Sequence, residues 1–475
     1  MSDDNRTSYQ LIDNLGALKL MPKRKVEKHD WGIISRQLHR ITPDGGYSQY
    51  GENYQGKVRW RFNKNSAEHL KNIRIGGKVA ISSDSTAEKA TIDGDITNSW
   101  NQLLISKTNS TKLEQIDMVN RLALSHKVCT YTKENARMKF SSWSDNLYKN
   151  DNATNGTSEY PISAGNIPSL DGNSATNVAV VDTSENEPRK RHLTKTPQPF
   201  EFYLSEISNF CNSPDTEMWH SKLHAGLDIE LNFEKDKNIV NYVDNATFKL
   251  VFTDLYLILP VYTMSEEYYR EILKSPIMVG GFEGVRVFSV NCANSTEQHI
   301  SLPVGKNNII GCKIMFRDSS EDNSFVTSLS GDGKRYLSRS INPEISNFQI
   351  KLADTQIPLN PIQSDLEFYE YMKEFYLTHH DTDCGNLINY WNFTNLKYAD
   401  GSSDGDDQKT LSGTSMFHLA FDFSKNGIQS GLNGKQDNLL IDFTTKYQIT
   451  NLQADIFVFY SCIAQHSGSE TRIMS

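Results

Sequence analysis

The run His379-His380-Asp381-Thr382-Asp383-Cys384 is the densest cluster of potential metal ligands in this chain. A bound ion needs ligands that converge on one point, held in orientation by outer partners. Side chains this close in sequence point in different directions. The run therefore reads as a polar exit from a helix, and no metal site is assigned. Other chemistries have their own grammar: GxxxxGK followed by Ser or Thr for a phosphate loop, GxGxxG for a dinucleotide, GxSxG for a serine nucleophile, HExxH for zinc. None of these is present. Acidic pairs suited to glycoside hydrolysis carry no spacing signature. Trp31, Trp60, Trp100, Trp143, Trp219 and Trp391 are too scattered for a sugar-stacking platform and read as core or interface packing. The residues nominate no catalytic, cofactor-binding or metal-ligating position, and the expectation is a protein that is not an enzyme.

Composition narrows the field further. The chain has 475 residues, with 49 Lys plus Arg against 58 Asp plus Glu. A net charge of −9 and an isoelectric point near 5.8 argue against a protein whose task is neutralising phosphate backbones. With 22 Phe, 21 Tyr and 6 Trp, it is too aromatic for a disordered chain. No apolar run reaches the roughly 18 residues that suggest a membrane-spanning helix. The opening MSDDNRTSYQ lacks the basic and apolar regions of a secretory signal. Cys129, Cys211, Cys292, Cys312, Cys384 and Cys462 form no CxxC pair and are expected to be free thiols in a reducing compartment.

The elements that would position any site are mostly strands. Alternation at period two marks Val58–Phe62, Leu227–Phe233, Val285–Val290, Gly311–Phe316 and Asn347–Leu352. Lys78–Ile81, Gln102–Ile105, Phe200–Leu204, Leu255–Tyr262, Phe417–Phe423, Asn438–Phe443 and Ala454–Tyr460 are further strands, and Phe248–Phe252 is read as pairing with Leu227–Phe233. A short helix is expected over Ser265–Lys274, capped by Ser265 and stopped by Pro276, and a second over 365–377. Ile357-Pro358-Leu359-Asn360-Pro361 reads as a turn. Polar stretches 144–198, 317–337 and 398–413 read as loops, the first ending in the basic patch Arg189-Lys190-Arg191. The expected domains are an arm over 1–25, a first β-domain over 26–264, a linker over 265–276, a second β-domain over 277–465 and a tail over 466–475.

The order of these segments carries a resemblance. Asn98 to Ile105 leads into a helix expected over Leu113 to Thr132, with Leu113, Ile116, Val119 and Ala123 on one face. The long loop follows, then the alternating strand at Leu227, the strand Leu255 to Tyr262, the linker helix, and a second β-domain opening at Val285-Arg286-Val287-Phe288. Asn347 to Pro361, Phe417 to Phe423 and Gln448 to Tyr460 complete the series. The chain thereby resembles the hexon-like major capsid proteins of double jelly-roll DNA viruses, particularly those of Polinton-type elements, adintoviruses and virophages. The likeness runs from about 26 to 465, with 144–198 as its main departure.

The resemblance implies an all-β protein of two tandem eight-stranded jelly-roll β-sandwiches with short linker helices and long loops. It implies a structural role without cofactors: homotrimers forming pseudo-hexameric capsomers that tile an icosahedral shell around DNA. Partners would be the chain itself, neighbouring capsomers, and penton and minor capsid proteins, with no sequence-specific nucleic-acid binding. The location would be the virion capsid, assembled in the host cytoplasm or nucleus. Large subunit interfaces would absorb the aromatic side chains. Two other readings fit the residues: a carbohydrate-binding or carbohydrate-cleaving pair of β-sandwiches, and a single jelly-roll vertex protein with an added domain.

Overall fold

Apolar side chains at alternate positions need a second layer to cover them, and in the computed structural model each half of the chain supplies both layers. The structure describes residues 33–474 apart from 63–66, 84–90, 93, 109–110, 148–192, 217, 242–247, 274–277, 320–339, 353–354, 381–387, 389, 395–416, 425–430, 450 and 468–469. The arm over 1–25, most of the 144–198 loop and the loops expected over 317–337 and 398–413 therefore lie largely outside the described residues.

In the first half, β1 (Ile33–Ile41), β8 (Phe248–Met264), β3 (Arg74–Ser83) and β6 (Gln198–Tyr203) pair in that order, antiparallel throughout. The short strands Ala67–His69 and Met218–His220 extend this sheet to six. Facing it is a four-stranded sheet in the order β2 (Lys57–Phe62), β7 (Leu227–Phe233), β4 (Trp100–Lys107), β5 (Lys112–Asp117). The second half repeats this wiring. β9 (Met278–Asn291), β16 (Leu452–Ser467), β11 (Lys306–Asp318) and β14 (Leu419–Asp422) form one sheet, to which Leu432–Gly434 and Glu470–Met474 add. β10 (Glu297–Leu302), β15 (Leu439–Thr445), β12 (Ile345–Leu352) and β13 (Thr355–Ile362) form the other. Adding eight to each strand number of the first half reproduces the order of the second. This is two tandem jelly rolls. Among the described residues no strand of one half pairs with a strand of the other.

Aromatic rings bind the facing sheets at matching places. Trp100 on β4 lies 4.4 Å from Phe233 on β7 and 6.4 Å from Phe202 on β6. Phe348 on β12, Phe443 on β15 and Phe421 on β14 occupy the same three strand positions in the second half, with Phe348 stacked 5.0 Å from Phe421 and 6.4 Å from Phe443. Part of the aromatic richness that the resemblance assigns to subunit interfaces thus serves the two cores instead. In each half a helix follows the fifth strand: α1 (Val119–Thr130) in the first and α3 (Asp365–His380) in the second. Between the halves lies α2 (Glu266–Leu273), where the Ser265 hydroxyl accepts from the Tyr268 amide at 3.1 Å, the cap its sequence predicts.

Three local expectations change. The helix expected over Leu113–Thr132 divides at Met118, whose φ of 52° ends β5 and turns the chain into α1. Pairing along the open edge of β4 (Ile116 opposite Leu103) outweighs the helical spacing. Phe248–Phe252 does not pair with Leu227–Phe233. It is the start of the long strand β8 in the opposite sheet, joined to Leu255–Tyr262 across a bulge at Asp254. Finally, Ile357–Pro361 is a strand rather than a turn, because β13 is an edge strand and its prolines need no ladder donor.

Truncating a ring that joins both sheets leaves a cavity in the core. Trp100→Ala is expected to cost about 3–5 kcal/mol, read as a lower urea midpoint for the first unfolding transition.

Candidate functional site

Among the described residues a set of buried polar side chains lies where the two sandwiches meet. The seam is built around α1. Val119 and Ala123, expected on one apolar face, are buried, but Arg121 and Lys127 are buried as well. A buried charge is tolerated only when it is paired and hydrogen-bonded. Each of these has its counter-ion.

Arg121 reaches into the second half. Its guanidinium bonds the carboxylate of Asp455 on β16 and donates to the carbonyl of Phe316 on β11 at 3.3 Å. Arg317 donates to the same Asp455 oxygen at 2.8 Å, and the Ser289 hydroxyl of β9 to the other at 2.7 Å. Both Arg121 and Asp455 are fully buried. Burial draws the Arg317 pKa down to about 10. Lys127, one turn and a half further along α1, turns inward to Asp95 at 2.5 Å and Glu206 at 2.9 Å. Those two carboxylates hold its pKa above the usual lysine value against burial.

Between Arg121 and the end of α1 further contacts reach the second half. Lys313 of β11 donates to the Ser125 hydroxyl at 2.6 Å and bonds the Tyr376 hydroxyl of α3. The Tyr376 hydroxyl also lies 3.4 Å from His418 Nε2, which in turn is 3.9 Å from the Cys129 sulfur. His126 stands edge-on to Tyr376, and burial together with Lys313 and Lys127 brings its pKa down to about 3. α3 lies close over its own sheet because position 311 is glycine: a Cβ there would meet the Phe375 ring at 2.8 Å and the Phe421 carbonyl at 3.0 Å.

The end of α3 and the edge of β5 complete the seam. His379 sits between Glu283 of β9 at 3.0 Å and Asp422 of β14 at 3.3 Å. Burial opposes its charge, but the hydrogen bonds to Asp422 and Glu283 carry its pKa up to about 9. Glu114 of β5 accepts from the Ser208 hydroxyl at 2.5 Å and from the amides of Asn209 and Phe210 at 2.9 and 3.0 Å. Its pKa rises to about 7 because it is buried. Asn209 continues to Glu283 at 3.4 Å, and the Phe210 ring meets Phe282 of β9 edge-on.

His379 is thus the one member of the His379–Cys384 run whose side chain is described, and its partners are carboxylates that hold a proton. Among the described residues no group of three or more His, Cys, Asp or Glu side chains converges to hold a metal ion. Trp60, Trp100, Trp143 and Trp219 are buried in the core, while Trp31 and the Trp391 side chain lie outside the described residues. Cys129, Cys211, Cys292, Cys312 and Cys462 are free thiols. No described helix is long and apolar enough to cross a membrane. The arrangement fits two sandwiches together.

No family model and no curated protein matches the chain. Solved structures do. A chain of the PBCV-1 virus capsid superposes with a TM-score of 0.56 at 8% identity, over 93% of this chain and 96% of that one. A chain of the Sputnik virophage gives 0.56 at 11% identity, over 93% and 88%. The mavirus major capsid protein gives 0.50 at 10% identity, over 92% and 89%. At these identities the likeness establishes the fold: a double jelly roll.

Removing the shared carboxylate takes a counter-ion from two buried cations. Asp455→Ala is expected to lower stability by about 3–5 kcal/mol, whereas replacing Arg121, Arg317 and Asp455 together with apolar residues restores most of the loss in urea unfolding. His379 supplies a pH signature. Its folded pKa lies above its unfolded value, so its stabilisation is complete below about 6.5 and disappears as pH rises through about 9. Against His379→Gln, the wild type is expected to lose on the order of 3 kcal/mol more stability across that window, measured by unfolding at each pH.

Proposed function

We propose that the chain is a structural major capsid protein, without enzymatic activity, that forms homotrimers. The repeated strand order carries this reading. Two like-built sandwiches per chain, three chains per ring, give a pseudo-hexagonal tile with closed three-fold symmetry. Buried polar groups are spent on fixing one sandwich against the other, as a rigid tile requires. The likeness over more than nine-tenths of the chain to the PBCV-1 capsid chain, and to the mavirus major capsid protein, supports the same conclusion. So does the net charge of −9, which leaves genome neutralisation to other molecules. On this reading the domains divide at 265–276. Such tiles would build an icosahedral shell around DNA, with penton and minor capsid proteins as partners, and assembly would take place in the host cytoplasm or nucleus.

Native mass spectrometry of the purified protein tests this directly. The expected species has three chain masses at micromolar concentration. A monomer that persists as concentration rises contradicts the reading.

A further inference from the structure

The two jelly rolls share their wiring but not their surroundings. In the second, the sheet face turned away from the core carries Lys313, Met315 and Arg317 of β11 and Asp455, Phe457 and Phe459 of β16. All six are buried, and α1 and α3 lie over this face. In the first, α2 covers one end of the corresponding face, where Tyr268 and Tyr269 pack with Met264 and Tyr262, and the rest is open. Its rows follow from the pairing: Arg40 of β1, Ile258 of β8, Arg74 of β3 and Tyr203 of β6 stand straight across the sheet, with Arg36 beside Tyr262 and Leu38 beside Pro260. Leu38 is 57% exposed, Ile34 at the end of β1 68% and Tyr203 44%. The Arg40 guanidinium lies 4.0 Å over the Tyr256 ring, at the lip of a groove of about 520 Å³ that Lys78 and Pro199 also line. Arg36, Arg40, Arg74 and Lys78 outnumber the acids of the face, Glu201 and Asp254.

α3 offers the complement. Its inner side is buried through Phe368, Met372, Phe375, Tyr376 and His379. Its outer stripe, spaced by four, three and four residues, is Leu366, Glu370, Lys373 and Leu377, flanked by Glu367, Tyr371 and Glu374. Leu366 and Leu377 are 55% and 56% exposed. Two apolar residues at the ends of an acidic stripe match two apolar residues on a basic, aromatic sheet face. Helices cover such a face within the chain already, on the second sandwich.

We propose that the outer stripe of α3 docks on the open face of β1, β8, β3 and β6 in a second copy of this chain. The contact is head-to-tail, uses different surfaces on the two copies, and closes as a ring. It rests on the trimeric reading above and names the surfaces that make the trimer.

Charge reversal tests it. One variant carries Glu367→Lys, Glu370→Lys and Glu374→Lys; the other carries Arg36→Glu and Arg40→Glu. Each alone is expected to fall from trimer to monomer in native mass spectrometry, with the far-ultraviolet circular dichroism of the wild type. Mixed one to one, the two variants present opposite charges wherever one meets the other, in either direction, and like charges only between identical chains, so they are expected to associate into mixed oligomers that neither forms alone. A chain carrying all five changes restores opposite charges at every contact and is expected to regain trimers. Trimers that survive both single reversals overturn the proposed surfaces while leaving the trimeric reading intact; they would mean that something else, such as residues 1–32 of the same chain, covers the face. Monomers of the five-fold variant also overturn the direct pairing. A wild type that is monomeric removes both readings together.

Discussion

One carboxylate holds the two halves in register. Asp455, fully buried on β16, accepts from Arg317 of its own sheet and from Arg121 of the other sandwich. Placing three charges out of water is costly, and such a group seldom adds net stability over apolar packing. What it supplies is geometric. Asp455 accepts from both guanidinium groups at once, so slippage between the sandwiches would draw a buried charge away from a counter-ion. The surrounding contacts extend this constraint along the seam, through Lys313 and Tyr376 in the middle and through His379, Glu283 and Glu114 at the end of α3.

The strands were legible because their signal is local. Leu227, Ile229 and Leu231 face one way at period two, and the neighbours needed to explain them lie within the same few residues. Paired strand order was less legible: β7 and β8 are near in sequence, yet they belong to facing sheets. The helix expected over Leu113–Thr132 failed for a related reason. Leu113, Ile116 and Val119 satisfy a helical spacing, but the free edge of β4 captured Leu113–Asp117, and only Met118 in the left-handed region marks the change.

The seam was not legible at all. Arg121 and Lys127 look like the solvated face of an amphipathic helix when read alone, and Asp455 lies 334 residues from Arg121. No spacing rule connects them, because the partners meet only after both sandwiches have closed. The His379 run was visible from the start for the opposite reason, being dense in sequence, and its described member proves to sit between two carboxylates. Density along the chain and convergence in space are different properties.

The duplication bears on the proposed assembly. Matching aromatic contacts at Trp100–Phe233 and Phe348–Phe443 show that the cores follow one plan, while the outer sheet faces diverge into one covered surface and one that α2 covers only at its end. A chain with like halves and unequal surroundings is suited to a ring in which copies supply the missing cover. Negative-stain electron microscopy of the purified protein tests that claim most directly. The account predicts class averages with three-fold symmetry and a six-lobed, hexagonal outline. Class averages made up of isolated two-lobed particles would contradict it.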